Sequence, residues 1–249
     1  MYAAAPFEEP AMSVVQTVMG IVDTGRISVP TVVETIFRPL ADDVAEQRLD
    51  WWSAKLLRDA AIDLVVKDRE HAGDGREPLI VMSNHQSLYD IPVLFQSGLG
   101  RIRMVTKAEL FKIPIWGKAM LAAGFVRIDR SDRDQAVSSL KEKGGSLLAS
   151  GTRVWIAPEG TRSKTGQLGS FKSGGFRMAF DQGVRILPVA IDGTRNVLPA
   201  KGFVVQREKP VTVTILPPID PKDYGVERRK QLMTDVRDRI AKALGQQVV

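Results

Sequence analysis

The sequence predicts an α/β fold in which a layered, mostly parallel or mixed sheet is flanked by helices and preceded by an N-terminal helical segment. From residue 63 onward, short apolar segments of strand length alternate with longer helical segments. These strand segments are mostly apolar, which is typical of a largely buried sheet. Hydrophobic residues make up 44% of the 249 residues, enough to form a large core.

The N-terminal region predicts three helices. Residues 12–22 and 31–40 are apolar, and the helix breakers between Gly25 and Pro30 predict that they form two separate short helices. Residues 43–62 predict a longer, amphipathic helix.

Two interpretations of this N-terminal region are open. Residues 12–40, together with the pair Trp51 and Trp52, could rest in a lipid interface. They could equally pack on the rest of the protein as a cap, because β-branched and weakly periodic segments are ambiguous. We predict a division into a helical segment over 1–62 and a main domain over 63–249.

The main domain alternates between strands and helices. Strands are predicted at 63–67, 79–83, 102–106, 124–128, 153–157, 185–191, 203–206 and 211–216. Helices are predicted at 88–97, 114–123, 131–150, 171–182 and 225–244. We expect the last two strands to pair antiparallel, and we expect functional side chains in the loops just beyond the strand ends.

Composition limits the chemistry of the chain. It contains no cysteine and only two histidines, which excludes disulfides and thiol nucleophiles and argues against a metal centre. Residues 71–249 carry 28 Lys/Arg and 17 Asp/Glu, a net charge of +11, so we expect an anionic partner such as a lipid surface or a phosphorylated substrate. The basic residues are scattered and no nucleic-acid-binding motif occurs, so nucleic acid is not an expected partner.

Hydropathy bears on where the protein acts. No run of 18 apolar residues occurs, so we expect no membrane-spanning helix. The N-terminus lacks a basic start followed by an apolar stretch, so we expect no secretory signal. We therefore expect the protein to stay in the cytoplasm.

One histidine and one aspartate are placed for chemistry. His85 lies in the turn after the second predicted strand, and Asp90 lies where the next helix begins. Five residues rotate a helix by about 140°, so the two side chains could meet only across the turn. A carboxylate bonded to one ring nitrogen would leave the other nitrogen free as a base for a substrate hydroxyl.

Other readings of these residues are open. Ser87 and Asp90 also have the spacing of a helix capping box, so Asp90 could serve only as a cap. His85 could simply bond to a backbone carbonyl. His71 lies in a polar loop, and we interpret it as a solvated surface residue.

A loop suited to anions follows the fifth predicted strand. In Pro158–Ser163, Gly160 permits an unusual backbone angle or a close approach to a ligand. Arg162 offers a planar fork of donors that suits phosphate, and Thr161 adds a hydroxyl donor. The loop is therefore a candidate phosphate-binding element.

Further cations follow other strands. Lys107 and Arg130 each lie just beyond a predicted strand end, as Arg162 does. Because the strand ends of a layered sheet can converge, we predict that these cations form one anion-binding cleft beside His85. Nucleotide hydrolysis and dinucleotide redox chemistry have no support, since neither a Walker-type loop nor a G-x-G-x-x-G motif occurs.

Four motifs occur in the order found in glycerolipid acyltransferases. Asn84–Asp90 matches the NHx4D block, 107–130 looks like the second block, Pro158–Ser163 matches the third, and Ile186–Ile191 looks like the fourth. Ala157 stands where aromatic residues are common in the third block. The sequence therefore resembles the glycerolipid acyltransferase family, especially the 1-acylglycerol-3-phosphate acyltransferases.

The resemblance implies that His85 is a general base and that Asp90 orients it. It implies that the sn-2 hydroxyl of 1-acylglycerol 3-phosphate (lysophosphatidate) attacks an acyl thioester, giving phosphatidate without a covalent enzyme intermediate. No cofactor or metal is implied, because acyl-coenzyme A or acyl carrier protein acts as co-substrate. The residues implied to hold the glycerol phosphate are Lys107, Arg130, Glu159, Gly160, Thr161 and Arg162.

Several functional alternatives are open. The acceptor could be another lysolipid, and the protein could be a hydrolase or a non-catalytic binder of anionic lipids. The expected partners are lysophosphatidate, an acyl thioester and an anionic membrane surface, with acyl carrier protein as a candidate donor. The expected location is peripheral, at the cytoplasmic face of the cell membrane.

Overall fold

Seven strands form one sheet in the computed structural model, which describes residues 10–129 and 131–247. The strands are β1 (Asp63–Lys67), β2 (Ile80–Ser83), β3 (Ile102–Lys107), β4 (Val126–Ile128), β5 (Arg153–Ile156), β6 (Ile186–Asp192) and β7 (Pro210–Ile215). Their order across the sheet is β1-β7-β6-β2-β5-β3-β4.

Helices flank this sheet and form the N-terminal segment. They are α1 (Pro10–Phe37), α2 (Asp42–Asp59), α3 (Asp90–Phe95), α4 (Trp116–Ala122), α5 (Arg133–Ser139), α6 (Gly145–Ala149), α7 (Gly174–Gln182), α8 (Thr194–Val197) and α9 (Arg229–Ala243). A π-helical turn over Leu140–Gly144 joins α5 to α6. The predicted fold class, a mixed sheet flanked by helices with a helical N-terminus, is confirmed.

Strand direction determines where loops gather. The strands β6, β2, β5, β3 and β4 are parallel to one another. In contrast, β7 is antiparallel to β6, and β1 is parallel to β7. The carboxyl ends of five strands therefore lie at one edge of the sheet, which is where ligands bind in open α/β folds.

Both faces of the sheet are buried. In β2, Ile80 and Met82 join the core on one face, together with Phe176 of α7. Val81 joins the core on the other face, together with Leu94 of α3. Successive side chains of a strand point to opposite faces, so a strand that is covered on both sides is mostly apolar along its whole length.

The prediction of two short N-terminal helices is wrong, because α1 is one continuous helix that contains Pro30. A proline inside a helix removes a backbone hydrogen bond and costs about 3 kcal/mol. Contacts to α2 on both sides of Pro30 offset this cost. Trp52 Nε1 donates to Thr24 Oγ1 at 3.0 Å, and Arg48 pairs with Glu34 at 2.8 Å. These tertiary contacts anchor both halves of α1 to α2.

The predicted strand at 203–206 does not form, and its predicted pairing with 211–216 is wrong. The sheet places β7 between β6 and β1, so neither edge of β7 is available to another strand. Residues 203–206 lie instead in the loop between α8 and β7. There Val205 N–H donates to Thr17 Oγ1 of α1 at 3.0 Å.

The other predicted helices form with different ends. The helix predicted at 131–150 is α5 and α6 joined by the π-helical turn. The helices predicted from 171 and 225 begin at Gly174 and Arg229. Helix ends depend on capping and fraying, which the hydrophobic period does not encode.

The N-terminal helices pack on the main domain, with α1 against α4 and α2 against α3. The interpretation of this region as a cap therefore holds for the side of α1 that packs against α2 and α4. None of the described helices combines the length and the hydrophobicity needed to cross a membrane. The division between 1–62 and 63–249 stays a prediction.

Candidate active site

Three loops meet at the carboxyl edge of the sheet around the end of β2. His85 follows β2, the loop 157–173 follows the neighbouring β5, and a turn at Gly193 follows β6 on the other side. The β5 loop contacts the histidine directly, because Ser163 N–H donates to the His85 carbonyl at 2.7 Å.

The side chains of His85 and Asp90 are in direct contact. Nδ1 of His85 lies 2.7 Å from Oδ2 of Asp90. His85 is in the loop after β2 and Asp90 is the first residue of α3, so the two meet across the turn. The Asp90 side chain is fully buried, whereas 16% of the His85 side chain is exposed. The pair therefore presents its imidazole to the surface and keeps its carboxylate inside.

The carboxylate of Asp90 accepts several further hydrogen bonds. Its Oδ2 accepts from the backbone N–H groups of Gln86 (2.8 Å) and Ser87 (3.0 Å). Its Oδ1 accepts from the hydroxyl of Thr194, which is fully buried in the turn after β6. Asp90 thus bonds to the turn backbone as a cap would and also contacts the ring of His85. The two readings of Asp90 are compatible.

The hydrogen bond to Asp90 decides what the ring of His85 can do. A carboxylate favours hydrogen on Nδ1, which leaves a lone pair on Nε2. None of the described residues hydrogen-bonds to Nε2. The ring edge also packs against Trp155, with centroids 5.3 Å apart, and the indole of Trp155 donates to Ser83 Oγ at 2.9 Å. A fixed ring with a free basic nitrogen can accept a proton from a bound hydroxyl.

Two amides on either side of His85 attach this loop to β6. Asn84 Nδ2 donates to the Ile191 carbonyl and Asn84 Oδ1 accepts from Ile191 N–H, both at 2.8 Å. Gln86 Nε2 donates to the same carbonyl at 2.8 Å. Buried amides must find such partners, and these partners hold the backbone of His85 in place.

Glu159 bonds to the main chain of two loops. Its Oε1 accepts from His85 N–H and its Oε2 accepts from Gly169 N–H, both at 2.9 Å. Burial raises the pKa of this carboxyl, and the hydrogen bonds from Gly169 and His85 offset part of the increase. The role implied for Glu159 in holding glycerol phosphate stays a prediction, while its structural contacts are to backbone groups of the site.

Replacing Glu159 by glutamine should change how stability depends on pH. The pKa of Glu159 is higher in the folded protein than in the unfolded chain, so the folded state binds this proton more tightly. Its contribution to the free energy of unfolding is fully present below the unfolded pKa and is lost as pH rises through the folded pKa. We expect Glu159→Gln to remove this decline, as measured by urea unfolding from acidic pH to neutrality.

The exposed Glu227 provides the matched control. Glu227→Gln should keep the wild-type dependence of unfolding free energy on pH. An unchanged dependence in Glu159→Gln would mean that burial does not alter the ionisation of Glu159.

Cations without acidic partners lie on the β5 loop. Arg162 is half-buried, and Lys172 lies against Gly160, with Nζ 3.0 Å from where a Cβ of residue 160 would be. Gly160 has φ of +73°, so a side chain there would be strained and would collide with Lys172. Within the described residues, neither cation forms an ion pair. Two cations that pair with no described carboxylate and lie beside a glycine suit a phosphate group.

The other predicted phosphate contacts are spread along the same edge. Lys107 ends β3 and is exposed, and β5 separates β3 from β2. Two strand spacings correspond to about 10 Å. Thr161 is exposed on the β5 loop, and Arg130 lies outside the described residues. The convergence of Lys107, Arg130 and Arg162 on one cleft stays a prediction.

The second histidine has a structural contact. Nδ1 of His71 lies 2.8 Å from the carbonyl oxygen of Ile215 at the end of β7, and the residue is half-buried. The interpretation of His71 as a solvated surface residue is therefore wrong, because its polar loop packs over the end of this strand. Among the described residues, no cluster of His, Asp or Glu side chains could hold a metal ion.

Comparison with known protein families identifies the domain that carries this site. The family model described as Acyltransferase matches residues 63–192, a range that contains His85, Asp90 and the loop 158–163. The chain belongs to the acyltransferase family. Its matched range ends with β6, so α1, α2 and the loop between α8 and β7 lie outside it.

Named relatives align with a large part of this chain. It is 35% identical over 179 residues to the chloroplastic 1-acyl-sn-glycerol-3-phosphate acyltransferase LPAT1 of Arabidopsis thaliana, which covers 72% of this chain and 48% of that one. It is 33% identical over 148 residues to the human 1-acyl-sn-glycerol-3-phosphate acyltransferase alpha, with 57% and 50% covered. This acyltransferase thus spans about half the length of these relatives.

A solved structure has the same fold. The crystal structure of the 1-acyl-sn-glycerophosphate (LPA) acyltransferase PlsC from Thermotoga maritima superimposes with a TM-score of 0.74. The alignment covers 94% of this acyltransferase and 96% of that chain, at 24% sequence identity. Because the alignment covers nearly the whole chain, the shared fold includes the N-terminal helices.

Three residues that hold His85 and Asp90 in place were not predicted to do so from the sequence. Asn84 and Gln86 flank His85, and an amide on each side of a candidate base would have been a usable signal. Thr194 is different, because it lies 104 residues from Asp90 in the chain. Its role depends on β6 lying beside β2, and no local pattern reports that pairing.

Proposed function

We propose that this acyltransferase moves a fatty acyl group from a thioester to the sn-2 hydroxyl of 1-acylglycerol 3-phosphate, giving phosphatidate. The observation that carries the proposal is the contact of 2.7 Å between His85 and the buried Asp90, which leaves Nε2 without a hydrogen-bond partner among the described residues. The names of the relatives support this acceptor.

The chemistry follows from this geometry. Nε2 of His85 takes the proton of the acceptor hydroxyl while the oxygen bonds to the thioester carbonyl carbon. The carbon–sulfur bond then breaks, and the leaving thiolate receives the proton from the imidazolium. Asp90 stabilises that imidazolium and keeps the ring oriented. Because the chain contains no cysteine, no thiol of the protein takes part.

The basic loops would orient the acceptor. The phosphate would lie against Arg162 and Lys172, where Gly160 allows a close approach. Lys107, Arg130 and Thr161 would add contacts along the same edge of the sheet. Glu159 would act by holding the backbone of the His85 loop and the loop at Gly169. The phosphate contacts would place the hydroxyl at Nε2.

An exposed apolar face on α1 supports peripheral membrane association, for which we propose the cytoplasmic face. Ten exposed apolar residues fall within about 160° of the helix circumference at 100° per residue. They are Val14, Val15, Val18, Met19, Ile21, Val22, Val29, Val33, Ile36 and Phe37. The opposite side carries Asp23 and Glu34, which pair with Lys55 and Arg48 of α2. An in-plane interfacial helix has this division between faces.

Replacing Val18 and Ile21 by serine should weaken binding to vesicles that contain anionic lipid. Both side chains are more than half exposed, so the change should leave the packing against α2 intact. Loss of two apolar anchors should reduce the affinity by on the order of tenfold or more in co-sedimentation. Equal binding by the variant and the wild type would contradict the interfacial position of α1.

Thiol release from palmitoyl-coenzyme A, with and without lysophosphatidate, tests the proposed reaction. We expect release to require the acceptor and phosphatidate to accumulate. Release without acceptor would indicate a hydrolase, and equal rates with other lysolipids would broaden the acceptor class. If neither palmitoyl-coenzyme A nor acyl carrier protein thioesters release thiol while vesicle binding persists, the protein is a lipid-binding module.

Thr194 provides a test of how Asp90 is held. Thr194→Val keeps the shape of the side chain but removes the donor to Oδ1 of Asp90. A hydrogen bond to a charged group contributes about 1.5–3 kcal/mol, so kcat should fall at least about tenfold with little change in KM. Thr194→Ser keeps the hydroxyl and should restore most of kcat. If the valine and serine variants are equally active, Thr194 has no positioning role.

A further inference from the structure

A second exposed apolar site lies on the loop between α8 and β7. Phe203 is 86% exposed, and Val204 next to it is also exposed. Contiguous exposed apolar patches mark interaction sites, whereas a single exposed apolar side chain needs no explanation, so the neighbours of this pair decide its meaning. Val205, the following residue, is buried in the core, so the loop is anchored directly beside this exposed pair.

The loop is a closed, supported structure. Gln206 N–H donates to the Val197 carbonyl at 2.8 Å, and this bond joins the two ends of the loop. Gly202 N–H donates to the Pro199 carbonyl at 2.8 Å, which forms a turn just before Phe203. The side chain of Phe203 therefore projects from a defined loop tip.

This tip lies beside the exposed apolar face of α1. Val205 N–H donates to Thr17 Oγ1 at 3.0 Å, and Phe203 is two residues away. On the helix surface, the neighbours of Thr17 at three and four residues include Val14 and Ile21, both of which are exposed. The loop tip thus extends the apolar face of α1 rather than forming a separate patch.

The charge around the tip selects the kind of partner. Residues 201–209 contain three Lys/Arg and one Glu, and Lys201 is exposed beside the aromatic side chain. Apolar side chains flanked by cations match a membrane interface, where the apolar groups enter the acyl region and the cations meet anionic headgroups.

The loop is also connected to the catalytic pair. The Leu198 carbonyl accepts from Ser87 Oγ at 2.8 Å, next to the turn that holds Asp90. Thr194, at the start of α8, donates to Asp90. One segment therefore joins the exposed tip to the loop of His85.

We propose that the loop tip Lys201–Val204 inserts into an anionic lipid interface beside α1, as a second membrane contact outside the N-terminal helices. The proposal rests on the proposed membrane association of α1. Contacts through both α1 and this loop tip would fix the orientation of the membrane surface relative to the loops around His85. An acceptor that arrives from the membrane then meets the active site in one orientation.

Site-specific fluorescence tests the insertion directly, because the chain contains no native cysteine. An environment-sensitive fluorophore is attached to Phe203→Cys and, separately, to Ile21→Cys and Val226→Cys. Val226 is 62% exposed in the loop before α9 and is the matched control. Vesicles of phosphatidylcholine, with or without phosphatidylglycerol, are added.

We expect a blue shift and quenching by lipid-borne spin labels at 203 and 21 with anionic vesicles, and neither at 226. An aqueous signal at 203 with a membrane signal at 21 would overturn the loop proposal and leave the α1 contact standing. Aqueous signals at both positions would overturn both proposals.

Activity separates this role from catalysis. Phe203→Ser should bind anionic vesicles about tenfold more weakly than Val226→Ser in co-sedimentation. With a short-chain, water-soluble lysophosphatidate, Phe203→Ser should match the wild-type rate, since the side chain of Phe203 is 86% exposed and forms no hydrogen bond to His85 or Asp90. Equal vesicle binding by the two serine variants would contradict the proposal.

Discussion

His85→Ala is expected to lower kcat by about 10³-fold, the range that a positioned general base contributes. The variant removes the nitrogen proposed to accept the proton of the acceptor hydroxyl. The cations proposed to bind the phosphate remain, so KM for lysophosphatidate should change little. The measurement is steady-state thiol release with phosphatidate quantified as product.

The other histidine of the chain is the control. His71 is half-buried and bonded to the Ile215 carbonyl at the far side of the sheet, next to β1 and β7. His71→Ala should therefore retain near wild-type kcat, although it loses a structural contact. Thermal unfolding of both variants would show that each is folded. A folded His85→Ala enzyme with wild-type kcat would exclude His85 as the base.

Asp90→Asn is expected to have an effect of similar size, about 10²–10³-fold in kcat. The carboxylate accepts from His85, from two backbone N–H groups and from Thr194. An asparagine side chain cannot accept all of these hydrogen bonds, because its NH₂ group is itself a donor and would face the N–H and O–H groups that the carboxylate accepts from. The ring of His85 would lose the partner that holds its tautomer and stabilises the imidazolium.

A neighbouring aspartate separates this effect from a general change in charge. Asp192 ends β6 on the same edge of the sheet and is exposed. Asp192→Asn removes the same charge and should leave kcat within about threefold of wild type, as surface substitutions usually do. Equal losses in both variants would point to long-range electrostatics rather than to the contact between Asp90 and His85.

The fold class and the central motif could be predicted because their determinants are local. A strand that is buried on both faces is mostly apolar, so β2, β5 and β6 appear in the sequence as mainly apolar segments. His85 and Asp90 are five residues apart. Their contact needs only a strand that ends before one of them and a helix that begins at the other.

Errors arose where distant contacts outweigh local preference. Gly25 and Pro30 favour a break, yet α1 is continuous and is anchored to α2 through bonds such as that from Trp52 to Thr24. Residues 203–206 have the composition of a strand, yet both edges of β7 are taken by β6 and β1. The backbone of Val205 therefore pairs with a threonine side chain of α1.

The sequence by itself thus predicted the α/β class, the positions of the main strands along the chain and a possible contact of His85 with Asp90 across one turn. Only the tertiary structure decided that Thr194 completes the shell of Asp90, that Glu159 bonds to the loop of His85, and that the 203–206 loop lies on α1. The physical reason is that hydrophobic period and turn chemistry act over a few residues. The partners of a buried polar group are whichever groups the sheet order brings within 3 Å, and that order depends on the whole chain.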